Sequence, residues 1–150
     1  MATSGHARDP ALERLDVLVG AWTLEASIAP PGVVGAATFE WTLDGRFLVE
    51  RDEAPGAPSG LKIVGLAPER DAYTQHYFDG RGIVRIYRMR FDGATWELVR
   101  TAADFTPLDF CQRYVGRLVD GGRTITGRWE TSPDGETWTL DFELGYRRRS

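Results

Sequence analysis

The stretch GIVRIYRMRFDGATWELVR, residues 82–100, alternates apolar and polar side chains on both sides of Asp92-Gly93. This alternation has the period of a β-strand, and Asp-Gly between two such runs is typical of a tight hairpin. A two-residue loop here places Arg85 and Arg100 directly opposite each other, on the face that carries the apolar side chains. Two like charges in that position destabilise a hairpin unless an anion or an internal partner lies between them.

The rest of the chain repeats this pattern. Four further Asp-Gly dipeptides stand between runs rich in Val, Ile, Thr and aromatic residues, at 44–45, 79–80, 120–121 and 134–135. Together the runs and turns predict about ten strands, at residues 21–29, 36–43, 46–54, 60–67, 72–78, 81–91, 94–101, 109–119, 123–131 and 136–147.

A short helix precedes the strands. In DPALERLDVL, Asp9 suits an N-cap and Pro10 the first helical position, and Gly20 ends the helix. We therefore predict an all-β fold, an up-and-down antiparallel barrel of about ten strands with this helix plugging one end. Closure would remove exposed sheet edges. We expect residues 1–8 to be disordered and residues 9–150 to form a single domain.

Composition narrows the classes of function. A net charge of −4 gives no basic surface for nucleic acid. No apolar run is long enough to span a membrane, and the first residues lack the apolar core of a signal peptide, so we expect a cytoplasmic protein. Cys111 is the only cysteine, which excludes a disulfide framework and a cysteine-based metal site. We predict no metal site.

Hairpin registers define the side chains that face the barrel interior. We predict a ligand-binding set that mixes aromatic and polar residues: Trp41, Glu50, His76, Arg85, Tyr87, Trp96, Arg100, Gln112, Tyr114 and Trp129. Burying unpaired polar groups is costly. The polar members therefore lie at an open mouth, pair with one another, or meet a ligand.

Several of these residues allow two interpretations. Arg85 and Arg100 either clamp an acid group of a ligand, or are neutralised by Glu50 or a backbone carbonyl, or lie in water at the rim. His76 is the candidate catalytic residue, as a general acid or base, or else a hydrogen-bonded structural histidine. The segment at 102–110 is a lid or a connector, and the proline-rich residues 53–60 are a candidate portal loop.

Gly20-Ala21-Trp22, following a short helix, resembles the Gly-x-Trp opening of lipocalins and other calycin barrels. From about residue 10 to 147 the chain, with TFEWTLDGRFLVER, YTQHYFDGRG and GRWETSPDG, also resembles a lipocalin-like family of uncharacterised bacterial proteins that is frequent in actinobacteria. The resemblance implies a barrel with an internal ligand site and a structural role for Trp22 at its base.

Two better-known relatives suggest ligands. Fatty-acid-binding proteins are similar in layout and hold a carboxylate with two inward arginines and a tyrosine, parts that Arg85, Arg100 and Tyr87 could play. Nitrobindin-like haem barrels are similar in size, but their haem is held by a late histidine. Here residues 77–150 contain no histidine, and His76 is the only axial candidate.

The preferred prediction is binding of a small apolar or aromatic ligand, with an acid group, inside the barrel. The alternative is a cofactor-free enzyme in which His76, with Arg85 or Arg100, moves a proton on an enolisable substrate. Haem binding is a third option, although we predict no cofactor. A fourth is a packed interior with the function on a homodimer surface.

Overall fold

The computed structural model describes residues 8–69 and 72–149, which form a closed antiparallel β-barrel. Each strand pairs with its neighbours in the chain, and the first pairs with the last. The predicted fold class is confirmed. The prediction of disorder falls almost entirely on residues 1–7, outside the described residues. The ten strands are β1 Gly20–Ala26, β2 Gly35–Thr42, β3 Phe47–Glu53, β4 Gly60–Leu66, β5 Tyr73–Asp79, β6 Val84–Phe91, β7 Thr95–Arg100, β8 Cys111–Val119, β9 Thr124–Ser132 and β10 Thr139–Arg148.

A helical segment closes one end of the barrel. It consists of helix α1, Pro10–Glu13, and a 3₁₀ turn, Arg14–Leu18. The Asp9 carboxylate accepts a hydrogen bond from the backbone N–H of Ala11 (2.8 Å), as the predicted N-cap requires. Leucines of this segment, Leu15 among them, are fully buried in the core. Within the described residues, no helix has the length and apolar character needed to cross a membrane.

The other end of the barrel is the mouth. Because neighbouring strands are antiparallel, every loop that does not lie beside the helix lies here. The mouth loops are residues 27–34, 54–59, 80–83, 101–110 and 133–138. A second 3₁₀ turn, Asp120–Gly122, lies at the helical end between β8 and β9.

The hairpins at 44–45 and 92–93 keep their predicted faces. Across the loop at 44–45, Trp41 pairs with Leu48 as predicted. At Asp92-Gly93 the loop is longer than predicted, so Phe91 pairs with Trp96 and the register moves by two residues. An even displacement preserves the faces but changes the partners.

The predicted pairing of Arg85 with Arg100 is therefore wrong. Arg85 pairs with Tyr77 on β5, and Arg100 pairs with Gln112 on β8. The two arginines are not opposite each other across one hairpin, so each has its own set of neighbours.

The faces predicted for the hairpin at Asp79-Gly80 are wrong. Its loop runs over residues 80–83, and the positive φ that the turn needs falls on Gly82 (φ 83°). The register changes by an odd number of residues, which exchanges the two faces of β5. Gln75 is consequently buried, and His76 is exposed on the outside.

The last two hairpins differ from prediction in smaller ways. Tyr114 pairs with Trp129, a displacement of two residues that leaves both on the inner face. In β10 the register shifts between Leu140 and Phe142, which marks a β-bulge. Phe142 then pairs with Trp129, while Leu140, predicted to point inward, is 55% exposed.

Candidate ligand-binding cavity

A cavity of about 480 Å³ extends from the mouth into the barrel. This volume is in the range of small-molecule sites. Most of the predicted ligand-binding residues line it: Glu50, Arg85, Tyr87, Trp96, Gln112, Tyr114 and Trp129. The loops at 28–34 and 53–58 complete the wall near the mouth, so the proline-rich segment borders the cavity, and its role as a portal stays a prediction.

Three predicted residues do not line the cavity. His76 is on the outer face of β5, so its predicted inward position is wrong. Trp41 lies at the helical end, where its indole N–H donates to Asp16 Oδ1 (2.7 Å). Arg100 is buried but pairs with Asp104, with Nε 2.9 Å from Oδ2.

Arg100 organises the loop at 101–110. Its guanidinium also donates to the carbonyl of Thr106 (2.6 Å). The same loop also forms hydrogen bonds with the backbone of β6. Asp104 Oδ2 accepts from the N–H of Ile86 (2.8 Å), and Thr106 Oγ1 donates to the carbonyl of Val84 (2.7 Å). The β6–β7 ladder ends at the level of Arg88, so these side chains replace β7 as partners of β6 near the mouth. We call residues 101–110 the strap.

A row of polar side chains crosses the cavity wall beside the mouth. Glu50 pairs with Lys62, Lys62 with Tyr77, and Tyr77 with Arg85, on four adjacent strands. Lys62 forms ion pairs with Asp52 and with Glu50 (3.7 Å). The Nζ of Lys62 also lies 5.6 Å from the centre of the Tyr77 ring.

Glu50 is almost fully buried and has partners within this wall. The Tyr146 hydroxyl donates to Glu50 Oε2 (2.9 Å). Burial, together with the Glu50 charge, raises the pKa of Tyr146 well above its ordinary value. Glu50 therefore pairs with a lysine and a tyrosine, and it does not neutralise Arg85 or Arg100 as one of the predicted interpretations required.

Among the described residues, Arg85 is the cation of the cavity wall that has no carboxylate partner. Lys62 pairs with Glu50, and Arg81 with Asp79 (2.7 Å), but Arg85 forms no ion pair with any residue of 8–69 or 72–149. Burial raises the pKa of Tyr87, and the positive charge of Arg85 partly opposes this. The Arg85 charge thus acts on the cavity interior.

Three buried polar side-chain atoms have no hydrogen-bond partner among the described residues: Gln75 Oε1, Arg85 Nε and Trp96 Nε1. All three residues line the cavity. Buried polar groups in folded proteins are nearly always paired, and leaving one unpaired costs about 1–3 kcal/mol. The three residues belong to the wall of one cavity, and the three unpaired atoms are buried within that wall.

Aromatic rings cover much of the remaining wall. Tyr87 contacts Trp129 (5.7 Å between centroids), Trp129 contacts Tyr114 (5.3 Å), and Tyr114 contacts Trp96 (5.4 Å). Trp96 continues the chain to Tyr146 (5.6 Å). Such a wall favours a flat, apolar ligand body.

Some cavity residues were missed by the sequence analysis. Gln75 and Tyr77 are not predicted because Asp79-Gly80 favours a two-residue loop after β5, whereas the four-residue loop at 80–83, with its positive φ at Gly82, places both on the inner face. Lys62 and Tyr146 carry no such signal, because β4 follows a proline-rich loop of undefined register and β10 is bulged.

The fold and the cavity define a class, the closed ten-stranded antiparallel β-barrel with an internal cavity. No protein-family model matches the chain, and no curated protein matches it. Among solved structures, the crystal structure of Rv2717c from M. tuberculosis is similar, with a TM-score of 0.66 and 15% sequence identity. The similarity covers 95% of this chain and 99% of that chain, and at this identity it shows the fold alone.

The residues present do not fit a haem held by a histidine inside the barrel. His76, the predicted axial candidate, is exposed on the outer face of β5. The cavity wall contains no histidine among the residues that the structure describes.

Proposed function

We propose that this protein binds a small, flat, largely apolar molecule inside the barrel and holds its acid group with Arg85. The observation that carries the proposal is the state of Arg85, a cation that lines the cavity and has no carboxylate partner in the described chain. A ligand carboxylate in the cavity would supply the missing counter-charge and accept charge-assisted hydrogen bonds from the Arg85 guanidinium.

The other cations support Arg85 as the anchor. Arg100 is occupied by Asp104 and the strap, and Lys62 by Asp52 and Glu50. Of the two arginines predicted to clamp an acid group, only Arg85 is therefore assigned to the ligand. The alternative enzyme loses two of its predicted residues, because His76 and Arg100 do not line the cavity. Membership of a lipocalin-like family, a cytoplasmic location and a homodimer stay predictions.

The test compares Arg85→Gln with Arg88→Gln, a control on the same strand whose side chain is exposed on the outer face. The probes are naphthoic acid and its neutral amide, titrated calorimetrically. We expect the acid to bind wild type and Arg88→Gln equally, and Arg85→Gln about tenfold or more weaker, since a hydrogen bond to a charged group contributes about 1.5–3 kcal/mol. Amide affinity should change little. Equal losses for acid and amide, or no binding of the acid to wild type, would contradict the proposal.

A further inference from the structure

Lys62 has a chemistry that no other basic side chain of this protein shares. Of the 18 lysine and arginine residues in the chain, only Lys62 is a lysine. A guanidinium stays charged in proteins, whereas a lysine can release a proton and attack a carbonyl group to form an imine. This single lysine lines the ligand cavity.

The amino group of Lys62 is accessible from the cavity. Its neighbours across the sheet, Glu50 and Tyr77, both line the cavity. The Nζ atom lies 5.6 Å from the centre of the Tyr77 ring and 3.7 Å from Glu50 Oε2. The Lys62 side chain keeps 15% of its surface accessible, so a molecule bound in the cavity can contact it.

Two carboxylates lie beside this one amino group. Asp52 Oδ2 accepts a hydrogen bond from Lys62 Nζ, and Glu50 forms the second ion pair. Both carboxylate residues line the cavity. A carboxylate in this position can take a proton from the ammonium group, and it also stabilises any cation that replaces the ammonium.

Lys62 and Arg85 lie on the same wall at a short spacing. Lys62 pairs with Tyr77, and Tyr77 pairs with Arg85, so two strand spacings, about 10 Å, separate their Cα atoms. One or two fused aromatic rings span a separation of this size. A ligand whose acid group binds Arg85 therefore has room for a carbonyl group beside Lys62.

We propose that the ligand is an aromatic acid that also carries an aldehyde or ketone group, and that Lys62 binds this group covalently as an imine. This inference rests on the proposed function, which requires the contact with Arg85 and does not require the imine.

The chemical step is balanced by groups of the cavity wall. The Lys62 nitrogen forms a C=N bond with the carbonyl carbon, and the carbonyl oxygen leaves as water with two protons of the ammonium group. Asp52 accepts one of these protons and passes it to the departing oxygen. The iminium nitrogen keeps one proton and one positive charge, so Asp52 and Glu50 stabilise it as they stabilise the ammonium.

The test traps the imine in wild type. The probe is a naphthoic acid with a formyl group on the far ring, and sodium cyanoborohydride reduces its iminium to a stable amine. Mass spectrometry of peptides should locate an adduct on Lys62. We expect this adduct to form about tenfold or more faster than the adduct of the chain's α-amino group, because the cavity holds the aldehyde beside Nζ. An excess of naphthoic acid, which has no formyl group, should suppress the labelling of Lys62.

Three variants complete the experiment. Arg85→Gln should slow labelling about tenfold at a probe concentration below saturation, because it weakens binding of the acid. Arg88→Gln, on the outer face of the same strand, should be labelled like wild type. Lys62→Arg keeps a positive charge beside Asp52 and forms no imine, so this adduct should be absent.

Peptide location and suppression by naphthoic acid test the inference in wild type even if Lys62→Arg does not fold, which its circular dichroism spectrum reveals. Labelling of Lys62 no faster than that of the α-amino group would overturn the inference, and so would labelling that naphthoic acid does not suppress. If naphthoic acid binds, Arg85→Gln weakens its binding and Lys62 is not labelled, the proposed function stands without the inference. If naphthoic acid does not bind wild type, both fail.

Discussion

Tyr114 shows how single residues shape the cavity. Its ring lies over two paired glycines, Gly116 and Gly127, and its hydroxyl donates to the carbonyl of Leu144 (3.0 Å). Burial raises the pKa of Tyr114 far above its ordinary value, so it is a neutral donor at physiological pH. A Cβ on Gly127 would overlap the phenol of Tyr114. The glycine pair therefore makes room for a ring of the cavity wall.

We predict that Gly127→Ala destabilises the protein by about 1–3 kcal/mol, the usual cost of overpacking a core. Displacement of the Tyr114 ring should also weaken binding of naphthoic acid, because that ring lines the cavity. Urea unfolding and calorimetry measure the two effects. The control is Thr126→Ala, at an exposed neighbour on β9, which should change stability by less than about 0.5 kcal/mol. An equally small change in Gly127→Ala would contradict the prediction.

At the scale of elements, the strap supplies hydrogen-bond partners to β6 beyond the end of the β6–β7 ladder. Asp104 accepts from Arg100, from the N–H of Ile86 and from the N–H of Thr106 (2.9 Å). These donors, the Arg100 guanidinium first, hold the pKa of Asp104 well below its usual range. The segment at 102–110, predicted to be a lid or a connector, thus supplies hydrogen-bond partners to β6, and none of its residues lines the cavity.

Asp104→Asn should lower the free energy of unfolding by about 3 kcal/mol near neutral pH, because it leaves the buried Arg100 guanidinium without its counter-charge. The folded pKa of Asp104 is lower than its unfolded value of about 3.9, so its contribution is complete above that value. It is lost as the pH falls through the folded pKa. The difference between wild type and variant should therefore shrink in acid.

Urea unfolding over a range of pH measures this difference. Asp141→Asn, at an exposed position of β10, is the control and should follow wild type throughout. A difference for Asp104→Asn that stayed constant into acid would show that the charge of Asp104 is not what stabilises the strap.

At the scale of the whole molecule, the barrel closes where β1 pairs with β10, and Arg148 connects this pair of strands to the helical end. Trp22 pairs with Arg148, whose guanidinium lies 4.1 Å from the centre of the Trp22 ring and donates to the carbonyl of Val19 (2.8 Å). Burial lowers the pKa of Arg148. Because β1 and β10 complete the ring of strands, neither is an edge.

Native-state hydrogen exchange should therefore protect β1 and β10 as strongly as the central strands. The fastest exchange in the described chain should occur in the mouth loops, especially 27–34 and 54–59, whose backbone makes few hydrogen bonds to the sheet. Mass spectrometry of peptic fragments measures both. Rapid exchange in β1 and β10 alone would show that the barrel opens at this seam, contrary to the prediction.

The sequence by itself determined the strands, the capped helix and the alternation of most faces. These features depend on neighbouring residues: a period of two, an Asp-Pro helix start and Asp-Gly turns. The register at 44–45 is local in the same sense and was predicted correctly. Seven of ten predicted ligand-binding residues line the cavity because alternation carried over wherever the register moved by an even number.

Only the tertiary structure decided the rest. Loop length set which face His76 occupies, because one odd shift exchanges inside and outside along a whole strand. Arg100 has a carboxylate partner and Arg85 has none because of where the strap folds. Asp104 of the strap forms its ion pair with Arg100 and not with Arg85. Tyr146 meets Glu50 across 96 positions of sequence only because the barrel closes. Contacts of this kind depend on three-dimensional position, which the local pattern of residues does not encode.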